Sequence, residues 1–182
     1  MSQRYEIRFS GAGGQGLILA GVIMAEAASI YDGKQAVQSQ SYGPEARGGA
    51  SKSEVIISDG AIDYPKATVV DALLALTQEA ADKYSHDLKE GGVLLIDSDM
   101  VTRVPVGNFQ TVAFPIINTA KNDVGREIVA NIVALGAMVA LTKVVSKEGA
   151  EKAVLARVPE AFMELNKKAF QMGFDKAIAA MG

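Results

Sequence analysis

Gly11-Ala12-Gly13-Gly14-Gln15-Gly16 stands between a short β-rich run, Tyr5–Phe9, and a helical apolar pattern, Leu17–Ile30. Gly11, Gly13 and Gly16 satisfy G-x-G-x-x-G in the strand–turn–helix setting that gives the motif its meaning. Glycines admit positive φ and let a ligand approach the backbone. The start of the helix offers free N–H groups and a positive dipole end to a phosphate. A tight strand–helix turn with no ligand is the alternative.

Working outward, Ala36–Gln40 and Ser51–Ser58 read as strands, separated by the nine-residue Gly/Pro loop Ser41–Gly49. That loop is too short for a crossover helix, so these two strands are expected to be antiparallel neighbours. Val69–Leu76 is a near-continuous apolar run of buried-strand type. Thr77 is a candidate helix cap, with Ala80 at its third position. Val93–Ile96 and Gln110–Phe114 bring the total to about six strands. From Thr119 the chain reads as helical, with Asp123–Val145 apolar on most faces. Ser146 can open the next helix, and Pro159 suits the first position of the last, Pro159–Met181. The expected fold is α/β: a Rossmann-like three-layer sandwich around a mixed, mostly parallel sheet, with residues 1–182 as one domain.

Composition narrows the chemistry. The 182 residues include no Cys and a single His, which excludes disulfides, thiolate-held clusters and two-His mechanisms. A net charge of −3 gives no basic field to recruit nucleic acid or an anionic membrane. The longest uncharged apolar stretch, Ile128 to Thr142, is short of the ~20 residues that span a bilayer. No signal-like segment opens the chain, so a cytoplasmic location is expected. Counting Gly and omitting Tyr, about 56% of residues are apolar, against ~45–50% in an ordinary soluble domain. Either the interior is Ala/Gly-rich and close-packed, or another subunit covers apolar surface; the second is favoured, with self-association expected for the chain alone.

A dinucleotide site would require an acidic residue ~20 positions beyond the turn, ending the second strand. That strand ends Gln38-Ser39-Gln40-Ser41, with Asp32 before it and Glu45 in the loop, which counts against NAD or FAD. The loop Ser41-Tyr42-Gly43-Pro44-Glu45-Ala46-Arg47-Gly48-Gly49 places Arg47 beside two glycines, where its guanidinium can meet an anion. A surface connection with a solvated Arg47 is the other reading.

Gly11–Gly16, the Ser41–Gly49 loop running on into Ala50–Ile57, and Ile62-Asp63-Tyr64-Pro65 together resemble the gamma subunit of 2-oxoacid:ferredoxin oxidoreductases. The likeness runs from about Tyr5 to Asp175 and is nearest the 2-oxoglutarate, KorC-type branch. It implies a subunit of an oxygen-sensitive complex that converts a 2-oxoacid and coenzyme A to acyl-CoA and CO₂ while reducing ferredoxin. Thiamine diphosphate is then held by alpha and beta partner subunits, and iron–sulfur clusters by partners, often a small delta subunit. No catalytic and no metal-ligating residue is expected in this chain.

In fused single-chain relatives the matching domain supplies part of the coenzyme A pocket. Carried over, the resemblance implicates Gly11, Ala12, Gly13, Gly14, Gln15 and Gly16, with Arg47 replacing a basic residue of the matching loop. Two amide positions of the relatives fall near Asp97 and Asn131. Asp97 departs from the amide and carries the wrong charge for a phosphate. Asn131 suits the role, since an Asn within an apolar helix needs a partner; a bond to neighbouring backbone would also supply one. His86 and the pair Asp97 and Asp99 read as solvated surface. A purely structural subunit and a free-standing nucleotide-binding regulator are the competing functions.

Overall fold

The computed structural model describes residues 3–41 and 50–182. Six strands form one sheet: β1 (Arg4–Ala12), β2 (Gln35–Ser41), β3 (Ala50–Ser58), β4 (Val70–Ala75), β5 (Leu88–Asp97) and β6 (Gln110–Phe114), in the order β2-β3-β1-β4-β5-β6. β3 is antiparallel to both β2 and β1, whereas β1, β4, β5 and β6 run parallel. The expected antiparallel pairing of the second and third strands is present, and so is the mixed, mostly parallel α/β architecture.

Among the described residues six α-helices flank the sheet: α1 (Leu17–Glu26), α2 (Gln78–Tyr84), α3 (Ile116–Asn118), α4 (Ala130–Thr142), α5 (Lys147–Ala156) and α6 (Met163–Met181). The layers are unequal. α1, α4, α5 and α6 share the main core on one face, while α2 covers the other. β4 shows why its sequence is continuously apolar: Ala72 and Leu74 point into the main core, Leu73 and Ala75 into the α2 side. β1 divides differently. Ile7 and Phe9 enter the main core, but Arg8 is buried among Glu54 and Asp87, at 2.8 Å and 2.7 Å, and lies 5.1 Å from the Tyr84 ring centroid. Charge pairing and hydrogen bonds offset the desolvation of that guanidinium.

Several expected boundaries move. β1 runs three residues past Phe9, so Gly11 and Ala12 belong to the strand and pair with Ser51 and Ala50. The first helix passes into a π-turn at Ala27–Tyr31. The single long helix expected over 123–145 is broken. A π-turn, Thr119–Val124, ends at Gly125 (φ 113°), Arg126 is extended, and a 3-10 turn, Glu127–Val129, leads into α4. Pro159 is likewise extended, preceding a 3-10 turn and then α6. Thr77 and Ser146 do cap their helices, accepting from Ala80 N and Gly149 N at 3.2 Å and 2.9 Å.

α4 is buried from Ala130 to Ala140 within this chain. Gly136 and Gly173 bring α4 and α6 into backbone contact: a Cβ on Gly136 would lie 2.1 Å from Phe170 O, and one on Gly173 1.8 Å from Val133 O. The apolar excess is thus largely internal, in small-residue helix packing. The apolar Asp123–Val145 pattern, which fits burial between layers or under a partner, is met over α4 by burial within this chain.

Candidate functional site

The glycine turn leaves the C-terminal end of β1, beside the C-terminal end of β4. From β1 the chain crosses to β2 on one side through α1; from β4 it crosses to β5 on the other through α2. The crossovers lie on opposite faces, which opens a crevice at the strand ends where α/β sheets bind ligands.

Within the turn the glycines do separate jobs. Gly14 and Gly16 take φ of 85° and 76°, conformations unfavourable to other L residues. Gly13, assigned the same need from the motif, is not among the positive-φ glycines. Gly11 is needed for space, since a Cβ there would sit 2.3 Å from Gln15 Oε1. Gln15 turns back, and its Oε1 accepts from Ala12 N at 2.7 Å. Gly16 precedes α1, which has no side-chain cap and no acidic residue in its first turn. The N–H end of α1 is therefore left to water or to an anion.

Asn131 closes the turn from the other side, donating from Nδ2 to Gly16 O at 3.2 Å. This is a bond to backbone, but to backbone 115 residues away. A cavity of about 720 Å³ opens here, lined by Gly14, Gln15, Gly16 and Asn131 together with Leu19, Leu76, Arg126–Ile132, Val158, Phe162 and Asn166. Of the residues expected at the site, the fold therefore brings Gly14, Gln15, Gly16 and Asn131 to one cavity. Gly11 and Ala12 stand behind it in the strand, and Gly13 is exposed at the tip of the turn. Arg47 lies outside the described residues, although the loop's flanks, Ser41 and Ala50, sit at the sheet end from which the turn emerges.

Asp97 is not solvated. It is fully buried, and its carboxylate accepts from Asp99 N, Met100 N and Ile117 N at 2.9, 3.3 and 2.8 Å. It fixes the loop after β5, and its complete burial keeps it away from solvent. Asp32 is also committed, to Ser146 N and Oγ, both at 2.6 Å. His86 is exposed, as expected. Among the described residues no cluster of His, Cys, Asp or Glu is placed to hold a metal, and no helix is long and apolar enough to cross a membrane.

Sequence reading missed Arg126, Phe162 and Asn166. Arg126 does follow a glycine directly before an apolar helix, but only the left-handed Gly125 turns it toward the cavity.

Residues 6–176 match the family described as pyruvate ferredoxin/flavodoxin oxidoreductase. The chain is 53% identical over 179 residues to 2-oxoglutarate synthase subunit KorC of Methanocaldococcus jannaschii, covering 97% of this chain and 96% of that one. Among solved structures it is similar to the gamma subunit of keto/oxoacid ferredoxin oxidoreductase from Geobacter sulfurreducens, with 84% identity, a TM-score of 0.93 and 98% of each chain covered. 2-Oxoglutarate:ferredoxin oxidoreductase from Magnetococcus marinus, solved with 2-oxoglutarate, coenzyme A and succinyl-CoA bound, shares the fold. Its TM-score is 0.84 at 22% identity, over 97% of this chain and 31% of that one.

Proposed function

The chain belongs to the pyruvate ferredoxin/flavodoxin oxidoreductase family, and on that premise we propose that it is the gamma subunit of a 2-oxoglutarate:ferredoxin oxidoreductase and supplies part of its coenzyme A site. The observation that carries the second half is the uncapped α1 terminus behind Gly14–Gly16, opening on a largely apolar cavity at the sheet's switch point. Coenzyme A presents phosphates to such amides and an apolar, amide-bearing arm to such walls.

The chain's own part is to bind and orient. Thiamine diphosphate belongs to the alpha and beta partners, and clusters to partners that have thiolates, because these 182 residues include no Cys. Ferredoxin is then reduced through the complex. Arg47 keeps the phosphate contact that the resemblance implies.

Gly14→Ala tests the reading. A Cβ at Gly14 meets nothing within 4 Å, so a methyl at this cavity-lining position touches no protein, and the strain is confined to a left-handed φ. In the reconstituted complex the KM for coenzyme A should rise on the order of tenfold, with the KM for 2-oxoglutarate unchanged. Full assembly with unchanged coenzyme A kinetics would favour a purely structural subunit.

A further inference from the structure

Arg126 is the one arginine among the described residues with no carboxylate partner. Arg4 is paired with Glu6, Arg8 with Glu54 and Asp87, Arg103 with Asp82, and Arg157 with Glu26. Arg126 instead lines the cavity, its guanidinium 5.9 Å over the Phe162 ring, which is 42% exposed. Its place is set by backbone: Gly125 N and Arg126 N both donate to Ala120 O at 2.9 Å, and the left-handed Gly125 redirects the chain.

Asn166, only 7% exposed, lines the same cavity. Its Nδ2 donates to Phe162 O at 3.0 Å, which leaves Oδ1 with no protein partner. No buried side-chain oxygen among the described residues is unsatisfied, so that Oδ1 is solvent-accessible, on a residue that lines the cavity. A cation, an aromatic face and an amide acceptor on a nearly buried residue thus line the same cavity as Gly14–Gly16. An aminopurine nucleotide carries the complementary set: a phosphate, a π face and an exocyclic amine.

We infer that Arg126, Phe162 and Asn166 read the adenosine-phosphate end of the ligand and are the specificity-determining residues of this site. The inference rests on the coenzyme A reading and deepens it. With the nucleotide end held here, the thiol arm is free to leave toward a partner. Glu127 is the acid on the cavity wall, and it opposes an anion from the position next to Arg126.

The test uses the reconstituted complex, with adenosine 3′,5′-bisphosphate as a probe of the nucleotide end alone. The bisphosphate should inhibit competitively with coenzyme A. Arg126→Ala should raise both the KM for coenzyme A and the bisphosphate inhibition constant by about ten- to a hundredfold, leaving the KM for 2-oxoglutarate unchanged. Arg126→Lys should recover part of the loss, and Glu127→Gln should lower both constants, a change of opposite sign that mere loosening of the cavity would not produce. Comparing coenzyme A with its 3′-dephospho form identifies the phosphate: equal losses mean the pyrophosphate, and loss for coenzyme A alone means the 3′-phosphate. Lack of competition by the bisphosphate, or an Arg126→Ala variant with unchanged constants, overturns the inference. If Gly14→Ala still raises the coenzyme A KM in that case, the coenzyme A reading stands; if it does not, both fall.

Discussion

Asn131 reaches from α4 to the carbonyl of Gly16, so one side chain ties the glycine turn to the helix layer. Gly16 O also accepts from Ala20 N at 3.1 Å, so removing the amide does not orphan that oxygen. Asn131→Ala should therefore cost only about 1 kcal/mol of stability, read by thermal unfolding, while loosening the turn enough to raise the coenzyme A KM severalfold. A larger stability loss with unchanged KM would make Asn131 a core residue and nothing more. Tyr5 offers a pH test. Burial and then the Asp71 carboxylate push its phenol from 10.0 up to about 12. The unfolded chain loses that proton near pH 10 and the folded chain only near 12, so this contribution to stability is complete below about pH 10 and declines across that interval. Tyr5→Phe should flatten the decline in denaturant titrations across that range and leave neutral stability unchanged. Residue types made some of this legible. An Asn within apolar sequence announces a partner, and glycines after a strand announce a turn. Asp97 shows the limit, because two of its backbone donors lie in the loop after β5 and the third in α3, 20 residues away, and no local pattern contains them all.

At the scale of elements, alternation and caps carried most of the information, since a strand buried on both faces or a Thr at a helix start acts locally. What local pattern could not carry was the break before α4. The residues from Asp123 onward have helical periodicity, yet Gly125 in a left-handed conformation stops the π-turn, and Arg126 runs extended before the chain coils again. The break is what delivers Arg126 and Asn131 to one cavity. The crossing of α4 and α6 was equally hidden, because it depends on Gly136 and Gly173 each meeting the other helix's backbone. Backbone cannot yield as a flexible side chain can. Gly173→Ala should separate the two helices and cost on the order of 3 kcal/mol, opposite in sign to the gain of up to about 1 kcal/mol that the same change brings at an exposed helix position. Thermal denaturation of the isolated chain decides the matter, and a melting temperature unchanged from wild type would refute the close approach.

If the whole molecule holds coenzyme A for a reaction carried out on partner subunits, as proposed, its surface should show where those partners sit. If the acyl group forms on a partner while coenzyme A is held here, the cavity mouth must open on that partner. The mouth is rimmed by apolar side chains that this chain leaves uncovered: Leu19, Phe162 and above all Ile128, which is 79% exposed. α4 is covered within the chain, so association is predicted to depend on this rim. Ile128→Asp replaces an exposed side chain and should leave the isolated chain's stability within about 0.5 kcal/mol. In the complex, the same carboxylate would be desolvated against a partner, a cost on the order of several kcal/mol, which is a loss of a thousandfold or more in affinity. Sedimentation of the variant with alpha and beta subunits should show free gamma chain where wild type co-sediments. Val106, 99% exposed on the loop before β6 and away from the cavity lining, supplies the comparison: Val106→Asp should assemble normally. If Ile128→Asp assembles as well as wild type, the mouth is not the interface, and a thiol arm leaving through it would meet only solvent.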